Sequence, residues 1–327
     1  MKLSIIIVHY KTPELLSTCI NSIYSNISDL NFEVIIVDND SQDNSETLIK
    51  RQFKNIIWIN SGYNAGFSRA NNHGIKAAKG THCLLLNPDS YIKDNFLKNM
   101  LNFYITTDLN NTLGLLGCRI ISSTDKKLMI GSGIGFPSLK KHIKANPIYI
   151  YFTRKIFKNN IAYNPQLKHY QNHKIDFVSG ACVMVKKSKI VEKDLYLDED
   201  FFLYYEDVEW SYKFKKAGFQ NYFFSDLEVY HFNSASTLAT GLKYEQIQIS
   251  EYLYFYKTHA LLEYYLLGYI LKFNYFMNIK LLERKNELTK SAAIKREKII
   301  FKQYFTKIPK LYKKNISGEN KYLIYAK

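Results

Sequence analysis

The 327-residue sequence has few cysteines, and they are not spaced like metal ligands or disulfide partners. The four occur singly within apolar runs, without a CxxC pair or a Cys/His cluster: Cys19, Cys83, Cys118 and Cys182. This pattern argues against a cysteine-based zinc site and a disulfide framework. We expect four small buried side chains in a protein of a reducing compartment.

Two glycine-rich nucleotide-binding signatures are also missing. The turn after the first predicted strand, residues 9–12, contains no GxGxxG, and no GxxxxGK[ST] occurs in the chain. A dinucleotide-binding Rossmann site is therefore weakly supported, and a P-loop is absent.

No segment has the composition of a signal peptide or of a transmembrane helix. The chain enters strand-like sequence directly, without a basic region and a cleavage site. The longest apolar region, residues 252–279, is interrupted by Lys257, His259, Glu263 and Lys272. We expect a cytoplasmic protein, with peripheral attachment to the inner face of the cytoplasmic membrane as a further option.

Acidic residues are absent from one long stretch, so the net charge of +16 is unevenly distributed. Residues 126–175 contain ten basic and no acidic residues, whereas residues 1–125 contain eleven of each. Residues 176–250 carry a net charge of −4 and residues 251–327 a net charge of +10. This distribution indicates a catalytic core with a basic insert and a basic tail, and not a uniformly basic nucleic-acid binder.

Strand-like and helix-like segments alternate through the first 90 residues. β-branched runs predict strands, and apolar residues at helical spacing predict helices between them. The predicted strands are residues 3–10, 32–37, 56–60 and 83–86, with helices in each interval. A further helix, 206–217, and strands at 115–121, 177–186 and 221–224 follow, and the pattern is helical from residue 244. The order predicts an α/β fold with a mostly parallel central sheet flanked by helices and a helical C-terminal extension.

Carboxylates follow two of the predicted strands. Pro88 must end the fourth strand, so Asn87 and Asp89 lie at its carboxyl end, where open α/β sheets bind ligands. A carboxylate there suits a divalent cation that already holds a phosphate group. Asp38 and Asp40 end the second strand and could bind a nucleobase or ribose. Capping turns are the structural alternatives, about equally favoured for Asp40 and less favoured for Asp38.

Three further segments contain candidate ligand-binding residues. Asn64 and Gly66 precede a helix that carries Arg69 and Asn72. Gly66 could let the backbone approach a ligand or could only satisfy a turn, and solvated helix positions are the default for Arg69 and Asn72. Glu206 and Asp207 follow an aromatic block, where a general base or a helix N-terminal cap would fit. His231 stands among aromatic residues, which is more typical of a core histidine than of a metal ligand.

Seven segments in order resemble the family-2 glycosyltransferases of the GT-A (Rossmann-like) type, particularly the rhamnosyltransferase-like branch. They read IIIVHYKTPELLSTCINSI, VIIVDNDSQDNS, NAGFSRANNHGIKAAKG, LLLNPDS, VSGACVMVKKS, DEDFFLYYEDVEWSYKFKKAGF and HFNSAS. They cover roughly residues 3–236, and residues 126–175 are unmatched. The resemblance implies a catalytic domain of residues 1–245 with that insert, followed by a helical region, 246–327.

The resemblance also implies an inverting transferase with a nucleotide-sugar donor and Mg²⁺ or Mn²⁺. Asp207, next to Glu206, corresponds to the catalytic base, and Asp89 to the metal-binding acid, with His231 at the metal or the diphosphate. Donor-binding positions are then Asp38, Asp40, Asn64, Gly66, Arg69, Asn72, Asn87, Ser179 and Gly180. The motif here reads Asn87-Pro88-Asp89, with an amide in place of the first acid.

The expected donors are dTDP-rhamnose or a UDP-hexose, and the expected acceptor is a cell-surface glycan or a polyprenyl-diphosphate-linked glycan. A nucleotidyltransferase acting on sugar phosphates is one alternative, although residues 9–12 lack the glycine-rich basic loop of that class. A basic nucleic-acid-binding module is another, although the core is neutral to acidic. For the aromatic, lysine-containing residues 252–279, packing on the core is slightly favoured over contact with an anionic membrane surface. For the later lysine-rich stretch, membrane attraction and simple solubility are about equally favoured.

Overall fold

A computed structural model describes residues 2–25, 30–129, 131–146, 149–150, 171–232 and 240–284 of the chain. These residues form two compact units. The first contains the described residues of 2–136, 171–202 and 206–232, and the second those of 137–150, 203–205 and 240–284. The predicted domain boundary at residue 245 stays a prediction.

The first unit contains the strands and most of the helices. Its strands are β1 Leu3–His9, β2 Phe32–Asp38, β3 Ile57–Asn60, β4 His82–Leu86, β5 Ser90–Tyr91, β6 Leu113–Ser122, β7 Leu128–Met129, β8 His173–Lys174, β9 Cys182–Lys186 and β10 Gln220–His231. Its helices are α1 Pro13–Ser25, α2 Ser45–Gln52, α3 Gly66–Ala77, α4 Phe96–Thr107, α6 Lys187–Lys193 and α7 Glu206–Lys216. The second unit contains α5 Leu139–Lys144, α8 Thr240–Thr258 and α9 Leu261–Arg284.

The strands form one mixed sheet in the order β3-β2-β1-β4-β9-β6-β10-β5. The four strands from β3 to β4 are parallel, as predicted, and β10 is parallel to β6. Strand β9 is antiparallel to both of its neighbours, β4 and β6. Strand β5 pairs antiparallel with the end of β10, so the chain that leaves β4 is held at the far end of the sheet.

Helices cover both faces of the sheet, as alternating buried residues require. On β1, Ile5 and Ile7 pack in a core cluster with α1 and α4, whereas Ile6 packs in a second cluster with α3, α6 and α7. Helix α1 begins at Pro13, whose fixed φ and missing N–H suit the first helical position.

Two observed strands differ from the sequence prediction. Strand β9 begins at Cys182 and not at residue 177, because residues 179–181 make contacts outside the ladder. Strand β10 extends to His231, well beyond the predicted end at residue 224. A register shift between Phe224 and Glu228 lets the polar residues Ser225 and Asp226 lie within a continuous strand.

In the second unit, α8 binds the three residues that precede Glu206 in the chain. Ser250 Oγ and Gln246 Nε2 donate hydrogen bonds to the carbonyl of Leu203, at 2.8 and 3.2 Å. Tyr204 and Tyr205 both have left-handed backbones, with φ of 69° and 65°. This conformation is unfavourable for bulky residues, so surrounding contacts must maintain it.

Candidate active site

Three residues that the sequence singled out lie together at the ends of β4 and β10. Pairing of β5 with β10 places His231 opposite Ser90, directly after Asp89. His231 Nε2 lies 3.0 Å from Asp89 Oδ1 and 3.3 Å from Asn87 Nδ2. The N–H of Phe232 donates to the carbonyl of Asp89 at 2.9 Å, which joins the two segments further. The structure therefore brings Asn87, Asp89 and His231 into one cluster.

Two side chains of this cluster could contribute ligands to a divalent cation that also binds a phosphate-bearing ligand. No group of three or more His, Cys, Asp or Glu side chains in the described ranges could hold a metal ion without other ligands. Mg²⁺, however, is commonly held by one or two carboxylates together with substrate phosphates and water. Asp89 and His231, with side chains 10% and 13% exposed, supply an oxygen and a nitrogen ligand 3.0 Å apart.

Asp207 lies in the first turn of α7 and is held by backbone donors. Gly180 donates its N–H to Oδ2 at 2.9 Å, and Val208 donates its N–H to Oδ1 at 2.8 Å. Burial raises the pKa of Asp207 above the ordinary aspartate value, and the two backbone hydrogen bonds partly offset that rise. The side chain stays partly exposed, so a bound hydroxyl group could reach it.

A short loop contacts both Asp207 and Asn87. The loop is residues 179–181, immediately before β9. Gly180 binds Asp207, and the carbonyl of the next residue, Ala181, accepts the N–H of Asn87 at 3.0 Å. A Cβ at Gly180 would lie 3.4 Å from the Cβ of Asp207, so the approach is close. Two adjacent residues of one loop therefore contact the predicted base and Asn87, two residues before the predicted metal-binding acid Asp89.

Ser179 is positioned by a residue that sequence reasoning missed. The N–H of Ser179 donates to Ser132 Oγ at 2.9 Å, and Ser179 Oγ accepts the N–H of Ala181 at 3.3 Å. Ser132 is 3% exposed and lies in the region that the sequence marked as an insert. No motif surrounds it, so only the folded chain identifies it as a support for the loop.

The carboxylates of Asp38, the last residue of β2, and of Asp40 make different hydrogen bonds. Asp38 is buried, and its Oδ1 accepts the N–H of Ser41 at 3.1 Å and the hydroxyl of Ser41 at 2.5 Å. Asp40 is partly exposed, has φ of 63° and accepts a hydrogen bond from Gln42 Nε2 at 3.2 Å. One oxygen of Asp38 therefore makes the hydrogen bonds of the capping turn that was the structural alternative. Nucleobase binding by either acid stays a prediction.

A buried histidine beside Asp38 was not singled out by the sequence. His9 lies in register with Asp38 on the neighbouring strand, and its Nε2 lies 3.0 Å from Ser45 Oγ. Burial lowers the pKa of His9 despite the nearby carboxylates of Asp38 and Asp43. A neutral imidazole therefore ties the end of β1 to the start of α2.

The loop before α3 is shaped by contacts with the segment that leads to α7. Asn64 Oδ1 accepts the N–H of Gly66 at 3.2 Å. Gly66 has φ of +76°, and a Cβ there would lie 2.6 Å from Phe202. A glycine is therefore needed at this position for both backbone conformation and space.

Arg69 and Asn72 on α3 bind the same segment. Arg69 Nε lies 3.3 Å from Glu199 Oε2. Asn72 donates from Nδ2 to the carbonyl of Leu197 at 2.9 Å and accepts the N–H of Leu197 at 3.0 Å. These contacts give both side chains a structural role, and their predicted contact with a nucleotide stays a prediction.

Glu206 is the most deeply buried acid of the site. Its side chain is 5% exposed, and its Oε2 has no hydrogen-bond partner among the described residues. Burial raises the pKa of Glu206 well above the ordinary glutamate value, and the adjacent charge of Asp207 raises it further. The protonated form of Glu206 is therefore strongly favoured in the folded protein.

The raised pKa predicts how Glu206 affects stability. Its contribution is fully present below the pKa of an unfolded glutamate, about 4.3, and is lost as pH rises through the higher folded value. Glu206→Gln cannot ionise, so its thermal unfolding midpoint is expected to fall less than that of the wild type as pH rises. Parallel curves for the two proteins would contradict this assignment, and the exposed Glu192→Gln on α6 is the matched control.

Comparison with known proteins finds a matching family model and related sequences. A family model described as glycosyl transferase family 2 matches residues 4–192. The low-salt glycan biosynthesis hexosyltransferase Agl10 of Haloferax volcanii is 29% identical over 220 residues, which are 65% of this chain and 62% of that protein. The poly(ribitol-phosphate) beta-glucosyltransferase of Bacillus spizizenii is 33% identical over 121 residues, 36% of this chain and 19% of that protein.

Solved structures confirm the predicted fold class. The crystal structure of S. aureus TarS 1-349 superposes with a TM-score of 0.50 at 15% identity, covering 98% of this chain and 88% of that one. A longer TarS structure gives a TM-score of 0.52 at 15% identity, covering 97% of this chain and 53% of that one. TarS 1-349 has also been solved with UDP and with UDP-GlcNAc. The chain thus has the predicted α/β fold of the GT-A type.

Proposed function

The chain belongs to glycosyl transferase family 2, and on that premise we propose that it is an inverting, metal-dependent hexosyltransferase. The proposed donor is a nucleotide sugar, and the proposed acceptor is a hydroxyl group of a cell-surface glycan or a lipid-linked glycan. The observation that carries the proposal is the loop 179–181, because Gly180 binds Asp207 while Ala181 binds Asn87 of the Asp89 cluster.

The donor is proposed to be a UDP-hexose in preference to dTDP-rhamnose. TarS, which shares the fold, has been solved with UDP and with UDP-GlcNAc. The relatives named as a hexosyltransferase and a beta-glucosyltransferase support a hexose. The relatives named as a poly(ribitol-phosphate) beta-glucosyltransferase and a teichoic acid poly(glycerol phosphate) polymerase support a polyol-phosphate or glycan acceptor.

In the proposed reaction, the carboxylate of Asp207 accepts the proton of the acceptor hydroxyl. The acceptor oxygen then bonds to the anomeric carbon on the face opposite the nucleoside diphosphate, which leaves with the electrons of the broken C–O bond. The anomeric configuration inverts. The raised pKa of Asp207 makes its carboxylate a stronger base than an exposed aspartate.

Asp89 and His231 are proposed to hold Mg²⁺ or Mn²⁺, which when bound supplies positive charge to the leaving diphosphate. The backbone N–H groups that bind Asp207 keep its carboxylate oriented. Glu206 is proposed to stay protonated beside Asp207, so that the site carries one negative charge at the base and not two.

The proposal is tested by incubating the purified chain with UDP-glucose, UDP-GlcNAc, UDP-galactose and dTDP-rhamnose, with and without Mn²⁺. Release of a nucleoside diphosphate is expected from the preferred donor. Release of pyrophosphate from a nucleoside triphosphate and a sugar phosphate would instead favour a nucleotidyltransferase.

The metal assignment has its own test in Asp89→Asn. Loss of the carboxylate is expected to raise the Mn²⁺ concentration needed for half-maximal activity by about tenfold or more, since a neutral amide is a weaker ligand. Asp94→Asn changes an exposed acid five residues away and is the matched control. An unchanged Mn²⁺ requirement in Asp89→Asn would exclude Asp89 as a metal ligand.

A further inference from the structure

Helix α9 exposes a continuous stripe of large apolar side chains. Their exposed fractions range from 41% for Leu266 to 71% for Tyr269. The stripe consists of Leu262, Tyr265, Leu266, Tyr269 and Phe273. Steps of three, one, three and four residues at 100° per residue place all five on one face of the helix. Single apolar residues scattered over a protein surface are normal, whereas a contiguous apolar patch such as this one is typical of an interaction site.

The opposite face of α9 is already buried within the second unit. Leu267 and Leu271 are 0% and 8% exposed, and α9 packs against α5 and α8. Asn274 Nδ2 donates to the carbonyl of His142 on α5 at 3.0 Å, which joins the two helices. The helix is therefore apolar on two sides, and packing among the described residues of the unit buries one of them.

The second unit also carries an excess of basic residues. Helix α5, which packs on α9, carries three exposed lysines and the half-exposed Ile143: Lys140, Lys141 and Lys144. In the sequence, the residues that follow α9, 285–327, include twelve Lys or Arg and three Glu. The second unit thus combines exposed apolar side chains with an excess of positive charge.

We infer that the α9 stripe lies in the interface of an anionic lipid bilayer. Tyr, Phe and Leu are the side chains that insert at the headgroup level, and the net positive charge of the same unit is attracted to anionic headgroups. A second copy of the chain fits less well, because a symmetric contact would bring two sets of lysines together. No helix in the described part of the chain is long and apolar enough to cross a membrane, so α9 would lie in the membrane plane.

The inference is tested by flotation of the full chain with vesicles of phosphatidylcholine containing phosphatidylserine, at low salt. The wild type is expected to float with these vesicles and to bind pure phosphatidylcholine vesicles much more weakly. The triple variant Tyr265→Glu, Tyr269→Glu, Phe273→Glu is expected to bind the anionic vesicles at least about tenfold more weakly, because three carboxylates replace the inserted rings.

The matched control places glutamates at equally exposed apolar sites of the first unit. Leu109 and Val191 are 84% and 53% exposed, and the double variant Leu109→Glu, Val191→Glu is expected to bind vesicles like the wild type apart from a small charge effect. Circular dichroism and thermal unfolding of both variants separate a folding defect from lost binding. Donor hydrolysis in the absence of lipid is expected to be unchanged, so membrane binding and the proposed transfer activity can fail separately.

Two results would overturn the inference. One is the absence of vesicle binding by the wild type at low salt. The other is a dimer in light scattering that the triple variant converts to monomer, without any difference in vesicle binding, which would assign the stripe to a second copy of the chain.

Discussion

Asp207→Asn is expected to reduce sugar transfer by about 10²- to 10⁴-fold, the usual contribution of a general base. The amide oxygen can still accept one of the two backbone N–H groups that now bind the carboxylate, from Gly180 and Val208. The variant should therefore fold, while it cannot take a proton from the acceptor. Affinity for the nucleoside diphosphate is expected to change little, because the substitution leaves Asp38 and Asp89, the acids expected to bind the nucleobase and the metal, unchanged.

The measurement is kcat for transfer, together with nucleotide affinity by calorimetry. Asp226→Asn, at an exposed acid on β10, is the control for a general effect of removing one charge. In the wild type, activity should fall as pH falls through the raised pKa of Asp207, at a higher pH than for an exposed aspartate. Near wild-type turnover in Asp207→Asn would rule out this residue as the base.

Lys189→Met is expected to lower the free energy of unfolding of the first unit by about 3–5 kcal/mol. Lys189 Nζ lies 2.7 Å from both carboxylate oxygens of Asp108 and donates to the carbonyl of Leu113 at 2.5 Å. The two side chains are only 1% and 6% exposed. Removal of the ammonium group would leave a buried carboxylate whose remaining partner is the N–H of Leu113.

Urea unfolding followed by tryptophan fluorescence can report this loss directly. Both tryptophans of the chain, Trp58 and Trp210, lie in the first unit, so the signal does not depend on the second. The double variant Lys189→Met, Asp108→Asn is expected to be less destabilised than Lys189→Met alone, because no unpaired charge is left. Equal stability of the single variant and the wild type would show that the ion pair contributes little.

The fold of the first ninety residues could be predicted because its signals are local. Pro88 ends β4 through the chemistry of one residue, and Leu16, Cys19, Ile20 and Ile23 bury one face of α1 at helical spacing. The sequence therefore placed Asp89 at the end of a buried strand. Its role as a metal ligand stays a prediction, as do the roles of Asp207 and His231.

Other features could not be read from local patterns. Strand β10 contains Ser225 and Asp226, whose polarity interrupts the expected alternation, and the strand continues through them with a register shift in its pairing with β6. His231 is a lone histidine among aromatic residues in the sequence, which favoured the interpretation as a core residue over that as a metal ligand. In the structure, the pairing of β5 with β10 places this histidine 3.0 Å from Asp89, across 142 residues of sequence.

The sequence by itself determined the alternation of strands and helices, the strand ends that carry Asp38 and Asp89, and the family, since all of these depend on residue order and short-range spacing. The tertiary structure alone decided that loop 179–181 contacts both Asp207 and Asn87, that Oε2 of Glu206 is buried without a hydrogen-bond partner among the described residues, and that apolar side chains on one face of α9 are exposed. The physical reason is that burial and hydrogen-bond geometry depend on which distant segments meet, and no local pattern encodes those meetings.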